Sequence, residues 1–188
     1  FEQTIADLAR VTRVTKGGKQ LSFRACVLIG DRKGRVGYGV QKGKDVQIAV
    51  DKAVNQAKKN LIMVPIIDGT IPHKVESKYK AAKVMVKPAP MGSGIIAGSA
   101  IRTVLELAGI PNASSKMLGR TNNKITNIKA TFSALTSFSA SAVSIAKENA
   151  AKKQKEAKAV PVKETEEVKK EATVAKVAKK APAKKKAA

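Results

Sequence analysis

Two stretches rich in glycine and basic residues are the first places where this chain could do chemistry, and the chemistry they suit is holding phosphate. Residues 15–19 contain Lys16, Gly17, Gly18 and Lys19, and residues 30–39 contain Gly30, Asp31, Arg32, Lys33, Gly34 and Arg35. Glycine tolerates positive φ and lets backbone amides approach a phosphate closely, while the flanking cations supply charge. Taken singly, each loop reads as a hairpin turn with solvated charges. Two of them ahead of a helix bearing Lys52, Lys58 and Lys59 favour a binding role. A third stretch, residues 88–100, reads Pro-Ala-Pro-Met-Gly-Ser-Gly-Ile-Ile-Ala-Gly-Ser-Ala. Glycines that open a helix leave free N–H groups for an anion such as a nucleotide phosphate.

That third stretch resembles the glycine-rich loop of the small-molecule kinases acting on galactose and mevalonate, but it lacks the Gly-Lys-Ser/Thr ending of a P-loop. Phosphoryl transfer also needs carboxylates to hold magnesium. Beyond the linker and before the tail the chain offers only Glu76, Glu106 and Glu148, with Glu106 at the far end of its helix. An RNA-phosphate contact at Ser93, or plain helix packing, fits better than ATP. Ser77-Lys78-Tyr79-Lys80 matches the Ser-x-x-Lys of penicillin-binding enzymes, yet the Ser-Asp-Asn and Lys-Thr-Gly companions are missing, so the match is chance. Cys26 is the only cysteine and His73 the only histidine. Together they cannot supply a structural zinc site, and one thiol excludes an internal disulfide. No catalytic residues, metal, cofactor or small-molecule substrate are expected, and the chain reads as a binding protein rather than an enzyme.

Composition points the same way. There are 37 Lys and Arg against 14 Asp and Glu, a formal charge of +23. So much like charge in a compact body implies a polyanionic partner. No run reaches the roughly 18 apolar residues of a spanning helix, so a membrane is not the expected polyanion. Aromatic residues are 3% of the chain, with no tryptophan. Single-strand binders stack bases on aromatic rings, so the scarcity favours phosphates and shape on structured RNA. Residues 151–188 hold 13 Lys, 5 Glu and ten alanines, leaving 24 basic and 9 acidic residues in 1–150. That body is strongly basic without its tail. The tail lacks an apolar stripe, is interrupted by Pro161 and Pro182, and should be disordered when free.

The elements that must position these residues follow from periodicity. Leu21, Phe23, Ala25, Val27 and Ile29 alternate with Ser22, Arg24, Cys26 and Leu28, as in a half-buried strand. It is the second of three, the last running from Arg35 to Gln41. From Lys44 to Leu61 the period turns helical, with Val46, Val50, Ala53, Ala57 and Leu61 as the apolar stripe. A linker at 65–71 holds Pro65 and the Asp68-Gly69 turn. Beyond it, 72–79 and 83–87 read as strands, and the glycine turn 91–94 leads into a buried helix running to Ala108 and stopped by Gly109 and Pro111. A strand at 113–118 and a helix with Ile125, Ile128, Phe132 and Leu135 inward complete the body. The class is α+β, in a first domain at 1–64, a second at 72–148 and a basic low-complexity tail at 149–188.

These motifs in this order resemble the small-subunit ribosomal protein S-five family. The match is carried by Lys16-Gly17-Gly18, Leu21-Ser22-Phe23, Gly30-Asp31, Gly34-Arg35-Val36-Gly37-Tyr38-Gly39, Lys52-Ala53 and Ala57-Lys58-Lys59-Asn60. It continues through Gly92-Ser93-Gly94-Ile95-Ile96-Ala97-Gly98 and Ala130-Thr131, covering roughly residues 8–140. The resemblance implies a first domain like a double-stranded-RNA-binding domain and a second of the left-handed β-α-β type. It implies a structural constituent of the small ribosomal subunit, bound to rRNA through phosphates and 2′-hydroxyls. Neighbouring proteins S-four and S-eight, the site where mRNA enters, and an influence on decoding accuracy through the S-four contact come with it. The Lys16-Gly17-Gly18 loop would reach rRNA near the head–body junction, where changes can confer spectinomycin resistance.

Three departures limit the transfer. Met91 stands where an acidic residue is common. Lys124 and Thr126 replace a usual Pro and Asn, so the last helix should start more loosely, and the tail is longer and more basic than the family usually shows. The expected rRNA contacts are Lys16, Gly17, Gly18, Lys19, Arg24, Arg32, Lys33, Arg35, Lys52, Lys58 and Lys59, with Lys87, Ser93, Lys116 and Arg120 in the second domain. The lack of a visible leader favours a cytoplasmic, bacterial ribosome over an organellar one, while the start at Phe1 without a methionine leaves room for a leader ahead of it and weakens that expectation. The competing readings are a free double-stranded-RNA-binding module and a small-molecule kinase using the glycine turn.

Overall fold

The computed structural model describes residues 1–139 and 144. The described residues fall in one compact unit, Phe1–Ala146. The basic tail read from the sequence, 149–188, lies outside the described residues.

Four antiparallel strands, β1 (Glu2–Thr15), β2 (Gly18–Gly30), β3 (Arg35–Gly43) and β4 (Leu61–Met63), form the first sheet in the order β1-β2-β3-β4. The short β4, where the sequence pattern had placed the helix end, pairs with Arg35 to Gly37. The second strand departs from its expected half-buried state: Ala25, Cys26, Val27, Leu28 and Ile29 are all buried. Ala25, Val27 and Ile29 meet the helix α1 (Val46–Lys59), whereas Cys26 and Leu28 join a larger core built mostly by the second half of the chain. A strand covered on both faces carries an unbroken apolar run rather than an alternation, and Ala-Cys-Val-Leu-Ile is such a run.

The helix packs through backbone contact. Ala49, Ala53 and Ala57 are its buried residues, four apart, and they face Gly43, Gly39 and Gly37 of β3. A Cβ on Gly39 would sit 1.9 Å from the Ala53 carbonyl oxygen, and one on Gly37 2.5 Å from that of Ala57. The expected stripe is therefore displaced: Val46 and Val50 are half-buried flanks, Leu61 is exposed in β4, and Ala49 is inside. Large side chains fail at the centre because the helix and strand backbones touch there and leave them no room. Gln56 ties the layers together by accepting the Val40 N–H at 2.8 Å.

The second sheet has the order β5-β6-β8-β7, from β5 (Val75–Tyr79), β6 (Ala82–Pro88), β7 (Ile95–Ile96) and β8 (Ala113–Met117). β7 and β8 are parallel and are joined by α2 (Ser99–Ala108). The two-residue β7 separates the glycine turn from the helix, so the turn does not open α2 directly. Gly109, at φ 79°, ends α2, and Pro111 follows, the stop pattern the sequence carries. Ile101, Val104, Leu105, Leu107 and Ala108 are buried while Arg102 and Glu106 are exposed. Helix α3 (Lys124–Thr136) buries Ile128, Phe132 and Leu135. Its start is firmer than the Lys124 and Thr126 substitutions suggested. Asn123 Oδ1 accepts the Ile125 N–H at 3.1 Å, and the Thr126 hydroxyl donates back to the Asn123 carbonyl at 2.9 Å.

Both sheets share one hydrophobic core, with Val64 and Ile71 of the connecting segment buried in it. Backbone hydrogen bonds lock the halves: Arg32 N–H donates to the Leu107 carbonyl at 3.1 Å and Gly34 N–H to that of Ala108 at 2.8 Å.

Two outcomes follow. Gly39→Ala forces α1 off the sheet and should cost about 3 kcal/mol in urea unfolding, whereas Gly17→Ala, with open space around its Cβ, should leave stability nearly unchanged. Burial pushes the Cys26 thiol up to about 11, with Asp7 adding to the shift against Arg24 and Lys129. At neutral pH Cys26 should resist a maleimide in the folded protein and react fully once denaturant exposes it.

Candidate nucleic-acid interface

Beyond the Phe23–Gly43 pair, β1 and β2 have no third strand beside them, so Val11 to Ser22 pair only with each other. This two-stranded arm ends in the two-residue loop Lys16-Gly17, with Thr15 opposite Gly18 and its hydroxyl donating to the Gly18 carbonyl at 3.1 Å. Gly18 is at φ 133°. Lys16, Gly17, Gly18 and Lys19 are all exposed. Arg13, opposite Gln20, is exposed on the same arm. In the sequence Arg13 stands outside the glycine-flanked stretch that marks Lys16 and Lys19.

The β2–β3 turn presents a second basic group, held by its own acid. Asp31 Oδ1 accepts the N–H groups of Lys33 at 2.8 Å and Arg35 at 3.1 Å. Desolvation works to raise the Asp31 pKa, but these backbone donors and the Arg35 charge outweigh it and hold the carboxyl below its usual 3.8. Arg32 takes a left-handed backbone, φ 54°, and its guanidinium meets Glu2 at 2.8 Å. Lys33 and Arg35 are exposed beside it. The exposed Lys52, Lys58 and Lys59 lie along α1, away from the alanines that face the sheet.

Arg24 stands apart from this set. It is half-buried on β2, 3.6 Å from Asp7, which also meets Lys124 at 3.8 Å. Its Nε is buried without a partner. The arrangement lends Arg24 to bracing β1 against β2 and the α3 start as much as to a ligand.

In the second half, Lys87 and Lys116 share the face of the sheet turned away from the core, since Val84, Val86 and Ala113 point inward. Arg120 is exposed just beyond β8. The glycine turn is committed internally: Asn112 Oδ1 accepts both the Gly92 and Gly94 N–H groups, at 3.1 and 3.2 Å. The Ser93 hydroxyl donates to the Pro90 carbonyl at 2.8 Å. The amides that would cradle a phosphate are already bonded, which removes the basis for the anion site expected there.

Among the described residues no three His, Cys, Asp or Glu side chains gather as a metal site, and no helix is long and apolar enough to cross a membrane. What remains is a protruding basic hairpin, a basic turn, a lysine-bearing helix and an open basic sheet face. The chain matches two family models: ribosomal protein S5, N-terminal domain, over residues 1–65, and ribosomal protein S5, C-terminal domain, over residues 77–149.

The chain belongs to the ribosomal protein S5 family. Small ribosomal subunit protein uS5 of Thermotoga maritima is 50% identical over 122 residues, which are 65% of this chain and 68% of that protein. The uS5c protein of Spinacia oleracea is 51% identical over 136 residues, 72% of this chain and 44% of that longer protein. In S5 terms, the sheet-plus-helix half and the β-α-β half described above are the family's N-terminal and C-terminal domains.

A pH dependence follows from Asp31. Because its folded pKa is lowered, its stabilisation is present above the ordinary aspartate value and lost as pH falls through the folded one. In acid titrations of melting temperature, Asp31→Ala should lower stability at neutral pH and narrow the gap to the parent as the medium becomes acidic.

Proposed function

We propose that this S5 family member is a structural constituent of the small ribosomal subunit, working in a bacterial-type cytoplasmic ribosome. It binds rRNA by charge neutralisation and positioning rather than catalysis, and it supports assembly. The observation that carries this reading is the exposed Lys16-Gly17-Gly18-Lys19 hairpin, which extends past the sheet with its cations free of carboxylates among the described residues. Lys16, Lys19, Arg32, Lys33, Arg35, Lys52, Lys58 and Lys59 are the proposed phosphate contacts of a module spanning residues 1–64. Gly17 and Gly18 let the backbone come close. Lys87, Lys116 and Arg120 serve the same end in a second module, 72–148, whereas Arg24 braces the first sheet through Asp7 and the Ser93 hydroxyl is taken up within its own turn. By family likeness, proteins S-four and S-eight are its neighbours, and the region where mRNA enters and decoding accuracy is set lies close by.

The kinase reading loses its footing with the Gly92 and Gly94 amides bonded to Asn112. A free double-stranded-RNA-binding module would share the fold, and only cellular association separates it from a ribosomal protein.

Sedimentation of a native lysate in high salt tests the proposal. The chain should stay with the small subunit after loosely held factors wash off, and running at the top of the gradient would overturn a constitutive ribosomal role. In binding to transcribed small-subunit rRNA, the plot of log affinity against log salt should fall steeply. Exchanging Lys16 and Lys19 for Gln should reduce its slope by about 1 per lysine that meets a phosphate.

A further inference from the structure

The β5–β6 hairpin carries lysines where the fold itself would prefer other residues. Tyr79 pairs with Ala82, so Lys80 and Ala81 form a two-residue loop. Lys80 sits at φ 54°, the left-handed region. The first loop position of such a turn favours glycine, and a lysine there is strained. One step down the hairpin, Lys78 lies directly across from Lys83. Like charges facing each other across an antiparallel pair repel. Lys83 has some relief, because its ammonium is 3.2 Å from Glu76, but that carboxylate is also 3.0 Å from Lys74. Side-chain hydrogen bonds from Lys74 and Lys83, together with their charges, hold Glu76 below its usual 4.5, so it is already committed. Between residues 72 and 139 the acidic side chains are Glu76 and Glu106, and Glu106 lies on α2.

Lys78 and Lys83 point to the same open face as Lys87 and Lys116, with Lys80 at its edge. Two independent local costs, a strained backbone and a like-charge pair that Glu76 offsets only on the Lys83 side, therefore meet at one exposed tip. A ligand bearing closely spaced negative oxygens would offset the repulsion and give the strained lysine a partner.

We propose that the tip of the β5–β6 hairpin, Lys78, Lys80 and Lys83, is a second phosphate clamp that grips an RNA backbone, continuing across the open sheet through Lys87 and Lys116. It rests on the rRNA-binding reading above and adds a site to it. A sheet face with this charge and without an exposed aromatic ring suits a phosphate backbone and not stacked bases.

The test uses the full chain and transcribed small-subunit rRNA, comparing Lys78→Gln with Lys80→Gly, singly and together, beside the Lys16→Gln and Lys19→Gln pair. Lys80→Gly should raise the melting temperature of the free protein, by removing strain, while weakening RNA binding. The double variant should reduce the salt slope by about 2. A raised melting temperature with an unchanged slope would overturn the clamp. If the Lys16 and Lys19 variant loses slope in the same experiment, the rRNA-binding reading stands without it, and if neither loses slope both fall. Normal rRNA binding with loss of the double variant from assembled subunits would put a protein on this face and also overturn the clamp.

Discussion

The docking of the β2–β3 turn onto the end of α2 is the contact on which the arrangement of this molecule depends. Two backbone hydrogen bonds, from Arg32 to Leu107 and from Gly34 to Ala108, join the halves at a point where no side chain could be inserted. A Cβ on Gly109 would meet the Arg32 carbonyl oxygen at 2.0 Å, and one on Gly30 would meet that of Leu107 at 2.2 Å. Such proximity lets Cys26 and Leu28 reach across into the core formed by Val84, Ile101 and Ile128. It also orients the basic turn, because the same residue that donates to Leu107 carries the guanidinium held by Glu2. Structure and charge presentation are thus set by one junction.

Around that junction the chain spends its few acids on geometry. Asp31 shapes a turn by accepting two backbone N–H groups, Asp7 braces Arg24 and Lys124, and Glu76 is divided between two lysines. Exposed ion pairs of this kind contribute little to stability, so their importance lies in where they leave the remaining cations. The cations of the hairpin arm and of the outer side of α1 form none of these pairs. A body with 24 basic and 9 acidic residues in its first 150 gains more from a polyanion than from its own carboxylates.

Much of this was legible in the sequence, and the failures share a cause. The α2 stop at Gly109-Ile110-Pro111, the inward residues of α3 and the glycine turns are local signals, and local physics decides them. The misplaced α1 stripe and the half-buried reading of β2 turn on what packs against them. Val46 and Val50 are better apolar residues than Ala49, yet Ala49 is inside because Gly43 lies opposite. Cys26 and Leu28 are buried because helix α2, seventy and more residues along the chain, packs over them. In the candidate interface, Lys16 and Lys19 stood out because glycines flag a turn. Lys78 and Lys80 did not, since a left-handed lysine and a cross-strand charge pair become visible only once the register is known.

The two glycine-rich loops show why residue type alone does not define an anion site. Both offer small residues and hydroxyls, and the 91–94 turn holds two glycines at positive φ, Gly92 at 86° and Gly94 at 67°. Its amides nevertheless converge on Asn112, which is buried and twenty residues distant in sequence from Gly92. An amide satisfied by a buried side chain must break that bond to hold a ligand, and stranding the Asn112 oxygen would cost about 1–3 kcal/mol. At the Lys16-Gly17 loop the side-chain bond runs from the Thr15 hydroxyl to a carbonyl, so it occupies an acceptor and takes no amide away. The loop's cations also stand in solvent on a two-stranded arm, clear of the neighbouring α1 and sheet. The same chemistry of glycine and hydroxyl therefore builds a turn closed on a buried side chain in one half of the molecule and an arm tip with exposed cations in the other.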